Sequence, residues 1–147
     1  ATLSQKKARA TMPREILFRG FHEDENGTTT IIIVGKEVQG EWVYGYYWLN
    51  TIQRAYITTA DGDMYAVIPS TVGQYTGLND CNGKKLFEGD KAKWVRFKDK
   101  ETGIVRYNSR MACFEFMVKH CDGHINSYLI GHCESLEVTG TIFDIGV

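Results

Sequence analysis

The 147-residue chain carries 17 basic and 18 acidic side chains, a formal charge of -1, and 43% hydrophobic residues. That composition can furnish the core of one domain or two small subdomains and excludes disorder as the default state. No apolar run approaches the roughly 20 residues of a membrane helix, the longest being residues 31–34, so no membrane partner is expected.

Residues 1–11, ATLSQKKARAT, are polar and basic with no apolar run behind them, which fits neither a signal peptide nor an anchor. They are expected to be a disordered arm or an expression remnant, with Met12 as the natural start. Strand signals follow at residues 15–18, 29–34, 42–49, 55–58 and 64–68, all rich in β-branched and aromatic side chains. The dipeptides Asn26-Gly27, Asp61-Gly62, Asn82-Gly83 and Asp122-Gly123 predict type I′ hairpin turns. One helical turn is expected at residues 70–75 or 50–54 and another at 134–137. In the second half KAKWVRF, TGIVRY, ACFEFMV, INSYLIG and LEVTGTIF predict five short strands. The fold class expected is all-β: an N-terminal hairpin and sheet portion over residues 12–82 and a small SH3-like barrel over 83–147.

The segment TVGQYTGLNDCNGKKLFEGD, residues 71–90, invites comparison with a phosphate-binding loop. A P-loop needs glycines, a lysine, a hydroxyl for magnesium and a helix N-terminus. Here one residue too many separates Gly77 from Gly83, Lys85 stands where the hydroxyl belongs, and KKLFEGDKAKW reads as turn and strand. The stretch therefore predicts a joint between two β units, with the boundary between Leu78 and Gly89.

That stretch, preceded by IPS and taken together with PREILFRG, EWVYGYY and LEVTGTIFD, resembles the YopX family of phage and prophage proteins. The resemblance runs over nearly the whole chain from Met12 in the family's order, apart from FHEDENGTTTIIIVGKEVQ, which looks like an insertion over residues 21–40. It implies a mostly β fold, a bacterial-cell setting, cytoplasmic location and phage or prophage ancestry. It supplies no catalytic residues.

Residues 84–110 hold nine basic side chains against four acidic ones, an asymmetry that can steer a polyanion. Within it Lys91, Lys93, Arg96 and Lys98 interleave with Trp94, a candidate nucleic-acid stripe. Alternation along a strand puts Lys91 and Lys93 on one face and Trp94 and Arg96 on the other, so Trp94 also suits the core. The four cysteines are too sparse for a disulfide scaffold and are expected as reduced thiols. Cys121, His124 and Cys133, completed by His132 or Cys113, have the chemistry of a zinc site. Adjacent strand residues face opposite ways, however, and a buried cysteine serves equally as a small hydrophobe, so no cofactor is expected. The serines lack a nucleophile elbow, and no enzyme is expected. Tyr44, Tyr46, Tyr47 and Trp48 place aromatic groups on both faces of one strand, more than a thin sheet covers. The function expected is a non-catalytic binding or oligomerising module, self-associating or taking a host or phage protein, with nucleic-acid binding as the alternative and zinc binding as a second.

Overall fold

The computed structural model describes residues 14–96 and 99–145, with the backbone alone at 95, 96, 99 and 100. The expected arm at residues 1–11, Met12 and Lys98 lie outside the described residues. The first sheet comprises β1 (Phe18–Glu23), β2 (Thr29–Ile33), β3 (Lys36–Leu49), β4 (Ala55–Thr58), β5 (Met64–Ala66), β6 (Ile68–Asn79) and β7 (Lys85–Phe87). Its path is β5-β4-β3-β1-β6-β7, with β2 also on β3. The 14-residue β3 is shared: residues 36–40 pair with β2, 40–45 with β1 and 46–49 with β4.

The second sheet comprises β8 (Asp90–Arg96), β9 (Asp99–Asn108), β10 (Cys113–Lys119), β11 (Ile125–Leu129) and β12 (Leu136–Thr141), in the order β11-β10-β9-β8-β12. Both sheets are antiparallel, and the all-β class holds. Among the described residues no pairing joins β11 to β12, so the second sheet is open and no closed barrel is found. No helix among them is long and apolar enough to cross a membrane.

Turn chemistry differs from the sequence expectation in an informative way. Gly62, Gly83 and Gly123 have φ of 88°, 82° and 88°, while Asp61, Asn82 and Asp122 do not share the left-handed region. In each loop the glycine N–H donates to the carbonyl three residues back, and that earlier residue donates to the carbonyl one past the glycine: 59 with 63, 80 with 84, 120 with 124. These are three-residue loops, a type I turn closed by one left-handed residue, rather than type I′ turns. Residues 50–54 form the same loop with Gln53 in the glycine position at φ 65°, in place of the expected helical turn. The two-residue type I′ geometry falls instead on Val34-Gly35, at φ 48° and 77°, between the paired Ile33 and Lys36.

The helical turn expected at residues 70–75 is part of β6, because Thr71, Gly73 and Tyr75 alternate inward with period 2. The one 3-10 turn described spans Ile130–His132, upstream of the 134–137 expectation. Residues 21–40 supply the end of β1, all of β2 and the start of β3, and within them Phe21 and Ile31 are fully buried. Ile31 bridges to Asp144, and the Ile32 N–H donates to the Phe143 carbonyl at 2.8 Å, so the end of the described chain is laid against β2.

Two apolar clusters form. Ala55, Ile57 and Val67, with Phe18, Val43 and Tyr47 against them, fill the first sheet. Trp94, Val105, Phe116, Val118 and Leu136 lead the second, joined by Leu86 from β7. Asp80 fastens the loop between β6 and β7 to β12: one carboxylate oxygen accepts from the N–H groups of Asn82 at 2.9 Å and Lys84 at 2.8 Å, the other from Val138 at 3.0 Å. Burial pushes its pKa up, but the backbone donors from Val138, Lys84 and Asn82 outweigh that and hold it below 3.8.

Val34 stands 97% exposed in a conformation that β-branched residues avoid. Val34→Asn is expected to raise unfolding free energy by about 1 kcal/mol, measured by urea titration. Asp80→Asn leaves the Val138 donor facing an amide and is expected to destabilise by about 2 kcal/mol at neutral pH. Because the folded pKa is depressed, this contribution is present above pH 3.8 and is lost as pH falls through the lower folded value. Urea midpoints taken down that acid limb should converge for the two proteins.

Candidate functional site

The sheets meet where a cation from one and an anion from the other are buried together. Arg19, the second residue of β1, is cross-strand to Tyr44 of β3 and Gly73 of β6; Asp90 opens β8. Its Nη1 lies 2.6 Å from the Asp90 Oδ1, with side chains only 5% and 1% exposed. The other carboxylate oxygen of Asp90 accepts from the Phe87 N–H at 2.8 Å. Arg19 Nη2 donates to the Glu88 carbonyl at 3.4 Å, and the guanidinium lies 4.9 Å from the Trp42 ring and 5.0 Å from the Phe87 ring. Planar and weakly hydrated, it suits an aromatic sandwich better than an ammonium would. Burial pushes the Asp90 carboxyl above 3.8, and the Arg19 charge and the Phe87 N–H pull against that rise.

The preceding residue makes the turn possible. Gly89 has φ 92°; its N–H donates to Val105 at 2.8 Å and its carbonyl accepts from Ile142 at 2.9 Å. A side chain at that φ is disfavoured, so the glycine places Asp90 under Arg19.

Beside this pair opens a cleft of about 590 Å³, whose lining includes Trp42, Tyr44, Phe87, Lys84, Lys85 and Asp144. Trp42 and Tyr44 belong to a row of aromatics at alternate positions of β3, Trp42, Tyr44, Tyr46 and Trp48, which one strand face requires. The row begins half-buried: Trp42 packs edge-on against Phe21 at 5.3 Å and near Phe143 at 6.0 Å. It ends in the open, where Trp48 stacks on Tyr56 at 4.8 Å and donates its indole N–H to Thr58 at 2.9 Å. Around that end Tyr46 is 70%, Ile52 70% and Met64 57% exposed. Tyr47 points to the other face, against Phe18 at 5.7 Å.

The residues singled out from sequence fall elsewhere. Lys91 and Lys93 lie on the outward face of β8, and Trp94 is buried in the second core, edge-to-face with Tyr128 at 4.9 Å and Phe116 at 6.1 Å, where it offers no stacking platform. The stripe is also not uniformly basic, since Lys93 pairs across the strand with Glu137. The side chain of Arg96 and all of Lys98 lie outside the described residues. Cys121 and His124 sit exposed on the 120–124 loop, whereas Cys133 is buried after the 3-10 turn, its thiol 3.5 Å from the Leu129 carbonyl. Among the described residues no set of three His, Cys, Asp or Glu side chains could hold a metal, so the structure does not assemble Cys121, His124 and Cys133. His124 instead bonds Asn126 at 2.9 Å, which bonds His120 at 3.0 Å.

Sequence reasoning missed the Arg19–Asp90 pair. A signal was present: Arg19 stands between Phe18 and Phe21 in a strand pattern, and a charge in such a position calls for a buried partner. Nothing in one sequence says that the partner is 71 residues away in the Gly-Asp turn.

A family model described as YopX protein matches residues 17–145. No curated protein matches the chain.

Removing one member of a buried ion pair leaves the other uncompensated. Arg19→Met is expected to destabilise the protein by about 3–5 kcal/mol. Adding Asp90→Asn, which removes the orphaned charge and keeps an acceptor for the Phe87 N–H, should recover more than half of the loss. Denaturant unfolding of both variants checks this.

Proposed function

The chain belongs to the YopX family, and we propose that it is a non-catalytic binding module of the bacterial cytoplasm, of phage or prophage origin, that assembles with a second copy of itself. The observation that carries this reading is the open end of the aromatic row. Tyr46, Ile52, Met64 and the Trp48–Tyr56 stack present apolar surface on the β3-β4-β5 part of the first sheet. Scattered exposed hydrophobics need no explanation, but a cluster of this kind favours burial against a partner. The β5 strand ends the path of the sheet, and among the described residues no strand pairs with its outer edge, which leaves that edge to a symmetry-related copy. The non-catalytic part of the reading draws support from the joint, where the buried charges of Arg19 and Asp90 neutralise each other. The second sheet, a four-strand meander whose last strand returns beside the first after a 3-10 turn, suits the order of a small SH3-like barrel left open at one seam.

Multi-angle light scattering over a micromolar concentration series tests the assembly. The expected result is a mass of twice 16.7 kDa that falls toward one copy in the Tyr46→Ser/Ile52→Ser variant. A wild-type protein that remains a single copy at every concentration overturns the reading.

A further inference from the structure

The cleft at the joint has features that self-association does not use. The geometry points to a binding site for a mononucleotide-type ligand, a planar ring carrying a phosphate, with the ring against Tyr44 and the phosphate between Lys84 and Lys85.

The walls argue for both halves of that ligand. At about 590 Å³ the cleft falls within the range of roughly 300–1,000 Å³ in which small-molecule sites lie. Trp42 and Phe87 are already engaged with the Arg19 guanidinium on their faces. Tyr44 is different: it is 45% exposed, and the ring neighbour it has is Phe87, edge-on at 5.5 Å. It is the aromatic surface of the cleft that can still accept a stacked ring.

Charge selects the other half. Asp90 is committed to Arg19, and Asp144 to the Thr141 N–H at 2.9 Å and hydroxyl at 2.7 Å, so both carboxylates of the lining are occupied. The lysines are held more loosely. Lys85 makes a solvent-exposed ion pair with Glu15 at 3.3 Å, and Lys84 is exposed with no ion pair among the described residues. Such a surface pair is weak and readily exchanged. The Arg19–Asp90 pair in the same lining is neutral as a unit, so the net positive charge of the cleft comes from the lysines. Two lysines on one lining suit a dianion better than a single carboxylate.

The lysines are also held in place. Asp80 accepts from the Lys84 N–H at 2.8 Å, and its own N–H donates to the Lys84 carbonyl at 2.7 Å, so the Asn82-Gly83 turn presents both lysines from a fixed backbone. The phosphate-loop chemistry that the sequence lacks is hydrolytic, requiring a metal-binding hydroxyl and a helix terminus. Binding needs neither.

Isothermal titration with adenosine and uridine monophosphates, adenosine, uridine and inorganic phosphate tests the site at low ionic strength. At least one monophosphate should bind about tenfold or more tightly than its nucleoside and than phosphate. Lys84→Glu/Lys85→Glu should weaken it by about tenfold or more. Tyr44→Leu should weaken the monophosphate and leave the response to phosphate unchanged, with the thermal midpoint of each variant showing that it is folded. The Tyr46→Ser/Ile52→Ser variant should bind as the wild type does, which separates this site from the assembly surface. Equal affinity for nucleotide and nucleoside, indifference to the lysine substitutions, or no saturable binding of either monophosphate overturns the proposal.

Discussion

A buried cation on β1 and a buried anion at the start of β8 can each be tolerated only because the other is there. Separated, Arg19 and Asp90 would each carry a desolvation penalty of several kcal/mol. Together at 2.6 Å, between the rings of Trp42 and Phe87, they form a contact with one workable geometry. An apolar contact at this place could slide, whereas an ion pair that must also satisfy the Phe87 N–H and the Glu88 carbonyl cannot. The relative placement of the two sheets follows from it.

Two further ties act with the pair. Asp80 binds the β6–β7 loop to β12 through Val138, and the Cys81 N–H adds a bond to the Leu136 carbonyl at 2.8 Å. Phe143 and Asp144 reach from beyond β12 to β2. The segment TVGQYTGLNDCNGKKLFEGD is thus held from both sheets: Tyr75 and Phe87 are paired within the first, and Leu86 is packed in the core of the second. The cleft with its lysines and the aromatic row share this frame, in which one strand, β3, runs from a half-buried Trp42 at the joint to an exposed end at the sheet margin.

Much of this was legible in the residues. Strand class and the opposite facing of Trp94 and the pair Lys91 and Lys93 follow from period-2 alternation, which is a local property, whereas which of the two faces turns inward does not. The glycine turns were also visible, though their type was not. Asn-Gly and Asp-Gly suit type I′ loops in two-residue hairpins; at residues 60–62, 81–83 and 121–123 the strands are joined by three residues, and the strand pairing, not the dipeptide, sets the loop length. Val34-Gly35 shows the reverse, a pairing of Ile33 with Lys36 that forces both turn residues left-handed whatever their preference. The ligand chemistry of Cys121, His124 and Cys133 was likewise readable, but their separation by β11 and a 3-10 turn was not.

By itself the sequence determined the all-β class, the family, the alternation of each strand and the places where the chain can reverse, because these depend on neighbours within a few residues. Tertiary structure alone decided that Arg19 meets Asp90, that Lys84 and Lys85 border an aromatic cleft, and that Tyr46 rather than Tyr47 is left in the open. Those outcomes depend on which surfaces two separate sheets bury against each other. No local pattern encodes that choice; it is made by the free energy of removing charge and apolar area from water together.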